Sequence, residues 1–140
     1  HRVASTGLRK IFTRVVSREV LNALNPKREA VEALSQSYGA IGVYVYTAAP
    51  ALDPADYYCR NYAPVVGIWD DAATGTSAAA LTGVLRATSD GAVESLRTVF
   101  FQGDPVGLPS RIETQWRGDE LWVGGHATTV EQFDLELSTL

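Results

Sequence analysis

The chain has 140 residues, of which 46% are hydrophobic, and carries a formal net charge of −4 with a pI near 5.1. This is enough apolar material for one domain with its own core, and the acidic balance argues against nucleic acid or an acidic membrane surface as a partner. One cysteine and two histidines exclude an internal disulfide and a Cys- or His-rich metal site.

Charge is distributed unevenly along the chain. Residues 1–36 hold seven Lys/Arg against three Asp/Glu, a net +4 that leaves −8 for the remainder. The basic segment is either a solvated surface or a docking surface for an acidic partner. No apolar run approaches the roughly 18–20 residues that cross a bilayer and no signal peptide is visible, so we expect a cytoplasmic protein with no membrane partner. Because the chain begins at His1 and lacks Met, we expect it to be a piece of a longer polypeptide.

The first half of the chain predicts three strands and one helix. The segment before the first strand, Ser5-Thr6-Gly7, is typical of a turn. The helix is amphipathic, with Val31, Leu34 and Tyr38 on one face. In chain order the predicted elements are a strand over 8–16, a helix over 26–38, and strands over 42–47 and 57–62.

The second half predicts a buried helix followed by short strands. Residues 76–87 lack a polar face, so Ala79, Leu81 and Val84 should be nearly inaccessible to water. The whole chain then has seven or eight strands and two helices. We expect an α+β domain over residues 1–140, in which a mixed, strongly curled, barrel-like sheet wraps around a central helix. The four predicted strands after the helix cover 96–102, 110–116, 120–123 and 128–137.

The candidate chemistry lies just before the buried helix, at Asp71 and the turn Thr74-Gly75-Thr76-Ser77. A helix start presents unpaired backbone N–H groups and a positive partial charge. Asp71 is therefore either a charge that complements the helix dipole or a general acid–base that carries a proton to or from a substrate carbon. The turn is likewise either a simple N-cap or a cradle for a substrate carboxylate.

Three sequence motifs carry a resemblance to a known family. Residues 59–78, CRNYAPVVGIWDDAATGTSA, resemble the signature Arg-x-Phe-Ala-Pro-x-x-Gly-Ile-x-Glu-Asp-Pro-Ala-Thr-Gly-Ser-Ala of the PhzF-like isomerases of phenazine biosynthesis. Residues 102–112, QGDPVGLPSRI, and 121–127, LWVGGHA, are similar to the family's later motifs. Ala72, Thr76 and Leu108 depart from the family, which usually has Pro, Ser and Arg there.

The resemblance implies a fold, a site and a partner. The chain is similar to the C-terminal half of a two-domain, diaminopimelate-epimerase-like enzyme whose site lies in the cleft between the domains. It implies Asp71 as the catalytic residue, and Thr74, Gly75, Thr76, Ser77 and Arg60 as substrate-binding residues. No cofactor and no metal ion is expected. The family's principal acid–base, a Glu, belongs to the other half.

Two hypotheses follow from these observations. In the first, the chain is half of an isomerase or epimerase that moves a proton on a small unsaturated or amino carboxylic acid, active only with an N-terminal half on a separate or cleaved chain. A homodimer of the assembled enzyme is one arrangement we consider. In the second, the chain is a non-catalytic binding or scaffold protein that retains the fold, which the departures at Leu108 and Ala72 favour.

Overall fold

The computed structural model describes residues 1–88 and 97–134. These residues form one eight-stranded sheet and three α-helices, with short 3-10 turns at Pro64–Val66 and Asp104–Val106. In chain order the elements are β1 Arg2–Ser5, β2 Arg9–Arg14, α1 Arg18–Ala23, α2 Arg28–Ser37, β3 Val43–Ala48, β4 Tyr57–Ala63, β5 Ile68–Asp71, α3 Gly75–Thr88, β6 Arg97–Gln102, β7 Ser110–Arg117 and β8 Glu120–Gly124.

The sheet is mixed, and its order is β1-β2-β3-β4-β6-β7-β8. Strand pairs β2/β3 and β4/β6 are parallel, and the other pairs are antiparallel. Each parallel pair is joined by a crossover, through α1 and α2 in the first case and through β5 and α3 in the second. Strand β4 changes partner along one edge: Tyr57–Cys59 pair with β6, while Asn61 and Ala63 pair with β5.

Alternation along the strands creates two cores. On the outer face, Ile11, Val45 and Tyr62 pack with Leu21 of α1 and Val31 of α2. On the inner face the neighbouring strand positions pack against α3. The inner core contains Phe12, Tyr44, Cys59, Phe100 and Ile112 from the sheet with Ala78, Ala80 and Leu81 from the helix. The curled sheet around a central helix, and the α+β class, are therefore as expected.

Helix α3 is enclosed over its first half and partly open over its second. Ala79 and Leu81 are buried as predicted, but Val84 is only half-buried. A groove of about 700 Å³ between β1 and β8 explains the difference, since Val84 and Gly83 line it together with Val3 and Leu121. The prediction that strands cover the whole helix was therefore wrong for its C-terminal turns.

The predictions of other elements also need correction. Strands β1 and β5 and helix α1 were not predicted. The buried face of α2 holds Val31 and Ser35, whereas Leu34 and Tyr38 are largely exposed. Ser35 tolerates burial because its hydroxyl donates to the Val31 carbonyl at 2.6 Å.

A further correction concerns the last predicted strand. Residues 128–134 form no strand and are exposed, while the rest of the range 128–137 lies outside the described residues. Residue 96 of the predicted strand 96–102 also lies outside them, and β6 begins at Arg97. Within the described part of the chain, no helix has the length and apolar character needed to span a membrane.

Candidate active site

Four polar side chains meet on the inner face of the sheet at the end where α3 begins. Lys10 comes from β2, Asn61 from β4, Asp71 from β5 and Gln102 from β6. Asn61 and Asp71 are direct cross-strand partners, and Gln102 pairs with Cys59 two positions earlier on β4. We call these four residues the polar layer. Lys10, Asn61 and Gln102 are almost fully buried, so this cluster is not a solvated polar surface.

Gln102 links the two strands that share the edge of β4. Its amide nitrogen Nε2 donates to the backbone oxygen of Asp71 at 2.7 Å and to Thr74 Oγ1 at 2.9 Å. Its Oε1 accepts a hydrogen bond from the Tyr44 hydroxyl at 3.0 Å. The side chain therefore connects β6 to the end of β5, and it fixes the segment between Asp71 and α3.

Asp71 is half-buried, and Thr74 orients its carboxylate. The Thr74 hydroxyl donates to Asp71 Oδ2 at 2.7 Å while it accepts from Gln102. The Thr74 hydroxyl thus donates its hydrogen to the carboxylate. Among the described residues, neither Asp71 nor Thr74 accepts a hydrogen bond from a backbone amide of the first turn of α3. The interpretation of Asp71 or Thr74 as an N-cap has no hydrogen bond to support it.

The first turn of α3 retains the features of an anion cradle. The helix begins at Gly75, and its first intrahelical bond from this end runs from the Ala78 amide to the Thr74 carbonyl at 3.0 Å. The amides of Gly75, Thr76 and Ser77 precede that bond, so helix geometry gives them no intrahelical acceptor. The Ser77 hydroxyl is buried without a partner among the described residues. These donors lie next to the Asp71 carboxylate in the chain.

The other two motifs pack around this turn. The Ser110 hydroxyl donates to the Ala72 carbonyl at 2.5 Å, which holds the turn that lacks the family's Pro. Val123 of β8 lies so close to Gly75 that an added Cβ there would sit 3.3 Å from Val123 Cγ1. Leu108 is exposed, and Arg111 pairs with Glu113 at 2.8 Å, so Arg111 does not replace the missing arginine at 108.

Lys10 is an element of the site that sequence reasoning missed. Its Nζ donates to Asn61 Oδ1 at 2.7 Å. Burial lowers the pKa of Lys10 from 10.5 to about 8, and the nearby Asp71 carboxylate opposes part of that fall. The alternation of side chains along β2 could have indicated it, because Lys10 lies two residues before Phe12 and therefore faces the same, inner side of the sheet. Asn61 and Gln102 stood within the quoted motifs but were not recognised as site residues.

Cys59 and Tyr44 lie beneath the polar layer in protonated form. Burial raises the pKa of Cys59 to about 12 and that of Tyr44 well above its usual value. A thiol with so high a pKa is a poor nucleophile at neutral pH. Among residues 1–88 and 97–134, no three His, Cys, Asp or Glu side chains gather as metal ligands would.

Arg60 is not brought to the polar layer. It neighbours Asn61 on β4 and therefore points to the opposite, outer face. Its Nε and Nη2 bond Asp70 Oδ2 at 3.1 and 2.7 Å, and its Nη1 bonds the carbonyls of Leu21, Asn22 and Leu24 at the end of α1. These contacts hold Arg60 away from the polar layer, and the substrate contact expected from the sequence stays a prediction.

Comparison with known proteins agrees with this architecture. A sequence model of the family described as phenazine biosynthesis-like protein (PhzC-PhzF) matches residues 1–132. An uncharacterized isomerase of Deinococcus radiodurans is 31% identical over 131 residues, which cover 89% of this chain and 42% of that protein. An uncharacterized isomerase of Clostridium acetobutylicum is 27% identical over an alignment of 145 positions, which covers 97% of this chain and 47% of that protein. The chain thus spans less than half the length of these curated relatives.

Solved structures show the same fold. The Bacillus anthracis phenazine biosynthesis protein of the PhzF family superposes with a TM-score of 0.68 at 16% identity, over 79% of this chain and 38% of that chain. A predicted epimerase from Pseudomonas aeruginosa gives a TM-score of 0.59 at 27% identity, over 94% of this chain and 45% of that chain. Since the family match extends over nearly all of the described residues, the chain belongs to the phenazine biosynthesis-like (PhzC-PhzF) family.

Proposed function

We propose that this chain forms one half of a cofactor-independent isomerase or epimerase that moves a proton on a small unsaturated or amino carboxylic acid. The observation that carries the proposal is the pairing of Asp71 with the start of α3. A carboxylate fixed by Thr74 at 2.7 Å stands beside backbone donors that no side chain of the described residues caps. The curated relatives are named isomerases, which supports the same class of reaction.

Each part of the site has a distinct role in this proposal. The amides of Gly75, Thr76 and Ser77 hold the substrate carboxylate, because a buried carboxylate needs hydrogen bonds to offset its lost hydration. The Ser77 hydroxyl offers a further donor. Asp71 then exchanges a proton with the adjacent carbon, as a general acid–base. Thr74 and Gln102 hold the Asp71 carboxylate in a fixed position relative to the start of α3.

A companion half completes the enzyme in this proposal and supplies the second acid–base group. The loops that follow β4 and β6 support it, because both expose apolar side chains: Val65 and Val66 in the first, Val106 and Leu108 in the second. Obligate interfaces run to roughly 2,000 Å² and are apolar at the centre. Sedimentation of the natural polypeptide should show the companion half bound, as a separate chain or on the same one, and a stable lone 15.1 kDa monomer would contradict this arrangement.

The test of the chemistry is solvent proton exchange. The full-length protein is incubated in D₂O with a panel of small unsaturated and amino carboxylic acids, and deuterium at carbon is followed by NMR. Asp71→Asn should lower the exchange rate by roughly 10²–10⁴-fold and leave carboxylate binding largely intact. Gly75→Val should instead weaken binding, because its side chain meets Val123 and crowds the amides.

The matched control is Asp119→Asn, in the exposed turn between β7 and β8, which should change neither quantity. Unchanged exchange in Asp71→Asn would remove the catalytic assignment. Carboxylate binding at the first turn of α3 without any exchange would favour the alternative, a binding or scaffold protein that keeps the fold.

A further inference from the structure

A buried lysine on the inner face of β2 has no structural explanation in the packing of the core. Lys10 is 2% exposed, and its inward neighbour along the strand is Phe12 of the apolar inner core. An ammonium in such a position loses most of its hydration, which is costly unless charge and hydrogen bonds compensate. Buried ionisable groups that are retained at this cost concentrate at functional sites.

The surroundings of Lys10 contain a single counter-charge. Asn61 accepts one hydrogen bond from the ammonium but is neutral. Tyr44 on β3 and Cys59 on β4 are protonated across the neutral range, because burial raises both pKa values. Helix α3 carries Arg86 as its only ionisable residue, and this residue lies in the last turn. Among the described residues, the anion that acts on Lys10 is the Asp71 carboxylate.

Asn61 connects Lys10 to the strand that carries Asp71. It is the direct cross-strand partner of Asp71 between β4 and β5, and the same side chain fixes Lys10 Nζ at 2.7 Å. The ammonium has three donor hydrogens, of which this bond uses one. The charge of a lysine held in this way acts on Asp71 through space, while the Thr74 hydroxyl holds the carboxylate by a hydrogen bond.

We propose that Lys10 is a positioning residue for Asp71, and that its ammonium, anchored on Asn61, is the internal counter-charge that holds the Asp71 carboxylate in position to act as the base. The proposal rests on the proposed function, since it assigns Asp71 the part of a base. It also explains why a cation is retained where an apolar side chain would pack with Phe12.

The first test needs no substrate. The side chain of Lys10 is titrated by NMR in the full-length protein, where its pKa is expected at about 8. In Asp71→Asn the midpoint should fall by about one pH unit or more, since a nearby opposite charge stabilises the protonated amine by about this amount. Asp119→Asn should leave the midpoint unchanged. An unchanged Lys10 midpoint in Asp71→Asn would overturn the proposal.

A second measurement uses proton exchange and stands independently if Asp71→Asn does not fold. Lys10→Met should lower the exchange rate at saturating substrate by tenfold or so at neutral pH and change its pH profile, whereas Lys10→Arg should restore much of the rate. A purely structural lysine would give the two variants equal rates and the wild-type pH profile, which would contradict the proposal. Absence of proton exchange in the wild-type protein would contradict the proposed function. The NMR titration would still show whether the charges of Lys10 and Asp71 interact.

Discussion

Gln102 and Asp71 are joined by a hydrogen bond of 2.7 Å between the side-chain amide of the first and the backbone carbonyl of the second. This bond ties the end of β6 to the end of β5, two strands that share an edge of β4 without pairing with each other. The position of the Asp71 carboxylate therefore depends on a residue that lies far later in the chain.

Replacing Gln102 with Leu should destabilise the fold. The substitution keeps the size of the side chain but leaves the buried Tyr44 hydroxyl and the Asp71 carbonyl without their partner. Unsatisfied buried groups cost about 1–3 kcal/mol each, so we expect the free energy of unfolding to fall by about 2–4 kcal/mol in urea denaturation. Gln36→Leu on the exposed face of α2 is the control, with a change within about 0.5 kcal/mol. Similar losses in both variants would contradict this role of Gln102.

A methyl group at Gly103 should be far more disruptive than one at Gly107. Both glycines have positive φ, 91° and 74°, so both substitutions carry the left-handed penalty of about 1–2 kcal/mol. At Gly103, however, the added Cβ would sit 2.2 Å from the Leu108 carbonyl and 2.7 Å from that of Ala72, whereas at Gly107 nothing lies within 4 Å.

The backbone must therefore move in Gly103→Ala, and because Ala72 directly follows Asp71, the site should move with it. Thermal melts and amide NMR shifts of residues 71–77 would measure both effects. The Gly107→Ala protein should have a melting temperature a few degrees below that of the wild type, and its amide shifts at residues 71–77 should be unchanged. Equal behaviour of the two variants would show that the close approach at Gly103 is not a constraint.

Arg60→Met should reduce stability by about 3–5 kcal/mol, the usual cost of removing one member of a buried ion pair. The Arg60 and Asp70 side chains are each only 9% exposed, so the substitution leaves the Asp70 carboxylate buried and unpaired. Arg97→Met is a matched control, since the Arg97 side chain is 57% exposed and its pair with Glu113 should contribute less than about 1 kcal/mol. A stable Arg60→Met protein with weakened carboxylate binding would return Arg60 to the substrate site.

Stability should rise with pH between 7 and 9 because of Lys10. Its pKa is 10.5 as a free side chain and about 8 in the fold, so in this range the unfolded chain binds more protons than the folded one. Unfolding then becomes less favourable as pH increases, by about 1 kcal/mol over the two pH units. Cys59 works in the opposite direction as pH approaches 9, since its pKa is raised in the fold.

The comparison with Lys10→Met isolates the lysine, because Cys59 contributes equally to both proteins. Urea denaturation across the range should give a steeper rise for the wild type, and the variant should be the more stable protein at pH 7. Parallel curves would show that Lys10 is not buried as a cation.

Sequence alone predicted the features that depend on local pattern. The uniform small apolar surface of residues 76–87 predicted a central helix, and the turn at Thr74–Ser77 predicted where that helix begins. What it could not predict depends on partners distant in the chain. Helix α1 is short, and its C-terminal carbonyls are bonded by Arg60 from β4. Strand β1 has no strong β propensity and is defined by its pairing with β2.

The polar layer shows the same limit. The alternation of side chains along a strand tells which residues share a face, but not which other elements pack against that face. Lys10 looked like one of many basic residues in the first 36 positions, and only closure of the sheet brings it to Asn61 and Asp71. Arg60 shows the complementary limit, because its motif position suggested a substrate contact while the face of β4 that carries it was not evident from the sequence.

The exchange of partners along β4 has a consequence for synthesis. Tyr57 pairs with Phe100 and Val43 with Tyr62, so the central strand can pair with β3 and β5 early but with β6 only after β6 has left the ribosome. Chains dominated by such distant pairings fold slowly, in milliseconds to seconds. Until β6 arrives, half of one edge of β4 is an open row of backbone donors and acceptors, which invites pairing with a neighbouring nascent chain. A chaperone that shields this edge during translation would raise the yield of soluble protein.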